Sequence, residues 1–192
     1  PGTPAAENFT GVALYSDLEE IGSFECSNPL INRLQQNIVW SQKSNFLEIP
    51  TDCPQRERAG WTGDAQLFAR TGSFNLQTAP FFARCLRDLA ADQYPDGKVT
   101  NLVPNTFPKG ADGSPGFFGR LDGSAGWGDA STVVPWTLYE RYGDRRVLEQ
   151  QYGSMRAWVE YALSRAREHH WTRRLRPSHY RDREGRERRE LH

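Results

Sequence analysis

Residues 48–64 read EIPTDCPQRERAGWTGD, and this stretch concentrates the side chains best able to do chemistry. Three carboxylates, Asp52, Glu57 and Asp64, alternate with Arg56 and Arg58 and close on Trp61. Pro50, Pro54 and Gly60 interrupt any regular element, so the acids are expected on an irregular loop. Acids on such a loop beside an aromatic ring match the needs of glycosidic cleavage. One carboxylic acid must protonate the leaving oxygen, which requires a pKa raised by apolar neighbours or by nearby negative charge. Other carboxylates accept hydrogen bonds from sugar hydroxyls, while an indole face packs on the apolar face of a pyranose. A loop of exposed charges paired with one another accounts for the same residues, and surface Arg–Glu pairs contribute little stability.

A second cluster, GSAGWGDAS at residues 123–131, sets Trp127 and Asp129 among three glycines. Glycine lets backbone approach a ligand closely. Equally, the run is a tight turn in which Asp129 caps the next helix, and one residue can do both. A third stretch, PDGKVTNLVPN at residues 95–105, opens on a strong Pro-Asp-Gly turn signal and says little more about function.

The elements that must position these residues read as helices joined by rich loops. Ser27 is the expected N-cap of a first helix, with Pro29 just inside and Leu30, Ile31, Leu34 and Ile38 as an apolar stripe, running to about Gln42. A second helix is expected from Thr62 through Leu67 and Phe68 to about Thr71. A third starts at Thr78 with Pro80 in its first turn and an apolar face of Phe81, Phe82, Cys85, Leu86 and Leu89. After a long Gly/Pro-rich loop from Tyr94 to Ala125, a helix covers about 130–141, with Pro135 in its first turn or at a kink. The last covers about 145–168, with Val147, Leu148, Tyr152, Met155, Trp158, Val159 and Ala162 at helical spacing. Before residue 27, Val12, Leu14 and Tyr15 suit a short strand and Asp17 to Gly22 a turn. The fold class is therefore all-α.

The bulk properties exclude several roles. With 37% hydrophobic and 12% aromatic residues, six of them Trp, the 192 residues can build a core. Net charge is zero, yet residues 165–192 hold ten Arg against five acids. Those charges interleave, and few apolar residues follow Trp171, so the stretch is expected as a disordered basic tail and not a nucleic-acid-binding patch. Three widely spaced cysteines and four histidines confined to residues 169–192 give neither a disulfide framework nor a metal pattern. No apolar run approaches the ~20 residues of a membrane span. Pro1 to Glu7 lacks the basic and apolar regions of a signal peptide, which leaves the compartment open and leaning to the cytoplasm.

The 28–71 stretch, and above all DCPQRER-x-GW-x-GDAQ, is similar to the opening of the catalytic domain of the bacterial α-L-rhamnosidases, glycoside hydrolase family 78; GWGDAS followed by VVPWTLYERYGD also matches. The resemblance covers about residues 22–168. It implies part of an (α/α)6 barrel over residues 27–168, with residues 1–26 a linker from a preceding β-domain and residues 169–192 an irregular tail. It implies hydrolysis of terminal α-L-rhamnose from an oligosaccharide or glycoside, with inversion and no cofactor or metal. By motif position Glu57 is the general acid, Asp52 and Asp64 bind hydroxyls, Arg56 and Trp61 add sugar contacts, and Trp127 and Asp129 wall the pocket. An inverting partner carboxylate should stand roughly 6.5–9.5 Å away; no glutamate of this chain sits in the context the resemblance gives the base. Six helix pairs need on the order of 300 residues at ~11–12 per helix. The isolated chain is accordingly expected to be a truncated arc, inactive and poorly stable, with apolar faces left open.

Overall fold

The computed structural model describes residues 2–106, 118–167 and 170–171. Among the described residues there are six α-helices: α1 (Pro29–Asn45), α2 (Thr62–Asn75), α3 (Ala79–Asp92), α4 (Ala125–Gly128), α5 (Ala130–Tyr142) and α6 (Arg145–Arg165). Two short 3-10 turns, Ala6–Asn8 and Phe118–Leu121, lie outside them. The all-α class holds. At the end of α6 the backbone of Ala166 turns extended, and Ala166–Arg167 (β1) pairs antiparallel with His170–Trp171 (β2). That turn stops α6 three residues short of its expected end. The rest of the arginine-rich tail, at 172–192, falls outside the described residues.

The core forms where α5 packs on α2, α3 and α6. The α3 face lies in it as the spacing predicts: Phe81, Phe82, Cys85, Leu86 and Leu89 are all buried. Phe46, just past α1, stacks on Phe81 at 4.5 Å between ring centroids and meets Phe82 edge-on at 5.7 Å. Such pairs add to simple area burial and hold the start of the 46–61 loop against α3. The buried face of α2 is Thr62, Gly63, Ala65, Ala69, Gly72 and Ser73. These small side chains let neighbouring helices come close, and the helix runs on to Asn75, past the expected Thr71. Its one large aliphatic, Leu67, faces out at 82% exposure.

Several expectations need correction. The cap of α1 is Asn28, whose side chain accepts the Leu30 N–H; Ser27 stands one residue too early to reach it. The α1 stripe does not enter the core, with Leu30 79% and Leu34 56% exposed. Amides attach the helix instead. Gln42 Nε2 donates to the Gly72 carbonyl (3.1 Å), Asn75 Nδ2 to Gln42 Oε1 (3.1 Å) and Gln35 Nε2 to Asn75 Oδ1 (3.0 Å). Val12 to Tyr15 form no strand, because no neighbouring backbone pairs with them and Val12 and Leu14 are exposed. The segment 16–22 pairs with other chain where a turn was expected. Ser16 N–H bonds the Phe46 carbonyl, Gln77 N–H bonds the Glu19 carbonyl, and Glu20 bridges Leu76. Pro135 lies in the second turn of α5, fully buried. On α6 the buried positions are Val147, Gln151, Ser154 and Trp158, one narrow face that leaves Tyr152 and Val159 exposed.

One close contact ties α4 to this core. A Cβ on Gly128 would stand 2.3 Å from Cη2 of Trp158, a ring only 2% exposed. Gly128→Ala is therefore expected to lower stability by about 1–3 kcal/mol through overpacking, read as a lower urea midpoint with an unchanged m-value.

Candidate active site

The 46–61 loop is pinched into a compact turn. Asp52 N–H bonds the Ala59 carbonyl (3.1 Å), and Ala59 N–H returns to Asp52 Oδ1 (3.1 Å). Between them Arg58 N–H reaches the Cys53 carbonyl (3.2 Å) with Arg58 at φ 53°, a left-handed backbone that closes the turn. The turn places Glu57 four residues from Trp61, and the indole N–H donates to Glu57 Oε2 at 2.9 Å. Arg56 Nη2 donates to the other oxygen, Oε1, also at 2.9 Å. The Glu57 side chain keeps 41% exposure. The carboxylate is thus oriented by two donors and open to a ligand.

The neighbouring acids are tuned apart. Burial pushes the Asp52 carboxyl up, but the Cys53 S–H and the backbone N–H of Ala59 outweigh it, and the group stays below the usual carboxylate range. Asp64, in the first turn of α2, is raised, first by burial of its carboxyl and then by the charges of Asp52 and Glu57. The residue as a whole is exposed, so water is lost mainly at the carboxyl. A cavity of about 310 Å³ opens beside Asp52 and Asp64, walled also by Thr51, Asn45, Phe46 and Phe68. Glu57 is not part of its lining. Ligand-type atoms of Asp52, Cys53 and Glu57 lie within 4.8 Å of one another. Hydrogen bonds among the turn residues engage all three groups and account for their closeness.

A second loop clamps this turn. Residues 60–62 run antiparallel to 101–103: Val103 N–H bonds the Gly60 carbonyl and Thr62 N–H the Asn101 carbonyl, each at 2.9 Å, with Trp61 opposite Leu102. Gly60 is required there, since a Cβ would fall 2.0 Å from the Val103 oxygen. The clamp is braced by buried Asp122, which accepts from Asn101 N–H (2.8 Å) and from the Tyr94 hydroxyl (3.0 Å). The 95–105 stretch, weak as a sequence signal, turns out to hold the acids in place. Cys53 is the other residue the sequence undersold; its signal was its place inside DCPQRER, four residues before Glu57.

The GSAGWGDAS cluster divides. Trp127 lies over Gly63 of α2, with Cδ1 and Nε1 each 3.2 Å from where a Cβ would be. Its ring remains 39% exposed. Asp129 occupies the cap position of α5 but makes no side-chain cap bond. Its Oδ1 instead accepts the Trp158 indole N–H at 2.9 Å, directed to the core and not to the acids. Asp52, Arg56, Glu57 and Trp61 are therefore joined in one turn, Asp64 shares their field, Trp127 stands over the neighbouring α2 glycine, and Asp129 is turned away.

Comparison with known proteins gives this geometry a setting. The family model for the bacterial α-L-rhamnosidase 6-hairpin glycosidase domain matches residues 19–184, past the 168 at which the sequence resemblance ends. An α-L-rhamnosidase of Formosa agariphila is 42% identical over 160 residues, covering 83% of this chain and 16% of the relative. One of Streptomyces avermitilis is 41% identical over 162 residues, covering 84% and 15%. Among solved structures, the Streptomyces avermitilis α-L-rhamnosidase complexed with L-rhamnose superposes with a TM-score of 0.78 at 39% identity, over 87% of this chain and 15% of that one. The α-L-rhamnosidase from Dictyoglumus thermophilum gives 0.74 at 37%, over 84% and 17%. The chain thus spans about one sixth of the length of these relatives.

The clamp makes a pH test possible. Burial, helped by the bond to Asp122, raises the Tyr94 phenol from the ordinary 10 to about 12. Its stabilising contribution is complete below pH 10 and is lost as pH climbs to about 12. Circular dichroism over that window should show a loss of stability, and Tyr94→Phe should flatten the pH dependence there.

Proposed function

The chain belongs to the bacterial α-L-rhamnosidase 6-hairpin glycosidase family, and from that premise we propose that it supplies the proton-donating half of an active site for hydrolysing terminal α-L-rhamnosides. The observation that carries this reading is the Glu57 carboxyl, held by Trp61 and Arg56 and left open, with Asp52 in the same turn and Asp64 within its field. Glu57 hands a proton to the glycosidic oxygen as the general acid. Asp52, kept ionised, accepts hydrogen bonds from sugar hydroxyls; Asp64, whose carboxyl holds its proton more readily, binds a hydroxyl or shares the proton load. Trp61 and Trp127 offer ring surface, and Arg56 steadies Glu57 and reaches the sugar. Asp129 serves the same pocket at one remove, through Trp158 and the placement of α4.

The stereochemical course we infer is inversion. It calls for a second carboxylate to activate water on the opposite face of the ring, with room for that water between the two groups. We assign that base to no residue of this chain and place it in the remainder of a catalytic domain. The substrate is accordingly a rhamnose-containing oligosaccharide or glycoside, bound non-covalently.

The test uses L-rhamnose calorimetry on this chain and release of 4-nitrophenol from the aryl α-L-rhamnoside, with and without the rest of a catalytic domain. Binding alone, and turnover once the remainder is supplied, is the expected result. Binding with no turnover in either case would make the chain a sugar-binding module. In the assembled enzyme Glu57→Gln should cut kcat by roughly 10²–10⁴-fold while rhamnose binding stays within a few fold. Asp52→Asn should weaken binding and turnover together, because its contacts are made in both ground and transition states.

A further inference from the structure

We propose that the Cys53 thiol is a positioning group of the sugar site, setting where the Asp52 carboxylate and the Glu57 backbone stand relative to each other. The inference rests on the reading of residues 52–64 as a sugar-binding turn. Its geometry is independent of that reading. Cys53 Sγ–H donates to Asp52 Oδ2 at 2.7 Å, and the same sulfur accepts the Glu57 N–H at 3.2 Å. One half-buried atom therefore touches both the residue proposed to bind hydroxyls and the backbone of the proposed acid.

The sulfur does what neither backbone nor a carboxylate can do at this point of the turn. A carboxylate at position 53 would accept the Glu57 N–H but repel Asp52. A thiol is donor on one side and acceptor on the other. With Oδ1 committed to Ala59 N–H and Oδ2 to the thiol, the Asp52 carboxylate cannot rotate, yet each oxygen keeps a lone pair for a sugar hydroxyl. The Glu57 N–H bond fixes the backbone from which the Glu57 side chain reaches Trp61.

The charged groups facing Asp52 are Asp64 from α2 and Glu57 from its own turn, the latter paired with Arg56. Removing the S–H takes away a donor that favours the Asp52 anion, so its titration should move up. Two measurements on this chain decide the matter: carbon-detected NMR titration of the Asp52 carboxyl, and L-rhamnose calorimetry across the acidic range, for the native chain, Cys53→Ala and Cys53→Ser. Expected are a raised Asp52 midpoint and roughly tenfold weaker rhamnose binding in Cys53→Ala, with both returning toward native in Cys53→Ser, whose hydroxyl restores a donor and an acceptor. An unchanged midpoint, rhamnose binding indifferent to the alanine change, or a serine variant no better than alanine overturns the proposal. Should Cys53→Ala not fold, Cys53→Val fills the volume without a donor and takes its place. A native chain that binds no L-rhamnose refutes the sugar-site reading, while the Asp52 titration still tells whether the thiol holds that carboxylate.

Discussion

Three residues of antiparallel pairing, 60–62 against 101–103, connect the acid-bearing turn to the rest of the molecule. Trp61 sits in the middle of that pairing, so the backbone direction of residue 61, and with it the direction of the indole N–H, is set by a loop forty residues away. The indole in turn orients the Glu57 carboxylate. The surface ion pair with Arg56 could not do this alone, since both partners are solvated and an exposed pair is worth about 0–1 kcal/mol. A neutral N–H fixed by a ring in the fold is the better guide, and the ring is fixed only as well as the 60–103 seam.

That seam is itself a consequence of one buried carboxylate. Asp122 takes the Asn101 N–H and the Tyr94 hydroxyl, and Gly123 N–H bonds the Val99 carbonyl. A buried charge is tolerable only when donors surround it. Here the donors, the Tyr94 hydroxyl and the Asn101 N–H, come from the first part of the 94–122 stretch and the carboxylate from its end, so satisfying the charge also brings the two together. A long loop closed at its base costs little more entropy than a short one. This is how Asp122 holds residues 94 and 101 of a Gly- and Pro-rich stretch in place.

How much of this was legible beforehand depends on which force decided each element. Where burial of large apolar side chains decides, the pattern speaks directly, and the α3 face is read residue for residue. Where polar contacts decide, it misleads. The Leu30–Leu34 stripe of α1 has the right period, but Gln35, Gln42 and Asn75 make the attachment, and an amide ladder has no periodicity to read. A strand at residues 12–15 has the right composition, yet a strand exists only with a partner, which no local sequence reveals. The acids of the 52–64 run were visible as a group. The thiol in their midst was not, because a lone cysteine gives no signal until its neighbours in space are known.

The coupling of core to site runs through Trp158. Its ring fills the space that Gly128 leaves, and its N–H anchors Asp129. Together these contacts fix Gly128 and Asp129, the two residues that follow Trp127. Trp127, one residue before Gly128, lies across Gly63 of α2. Gly63 and Gly128 are therefore two halves of one arrangement: one admits the core indole, the other receives the surface indole. An aspartate that looks from sequence like a helix cap or a pocket wall contributes instead by holding a buried tryptophan still. The position of the exposed tryptophan over α2 then follows from packing.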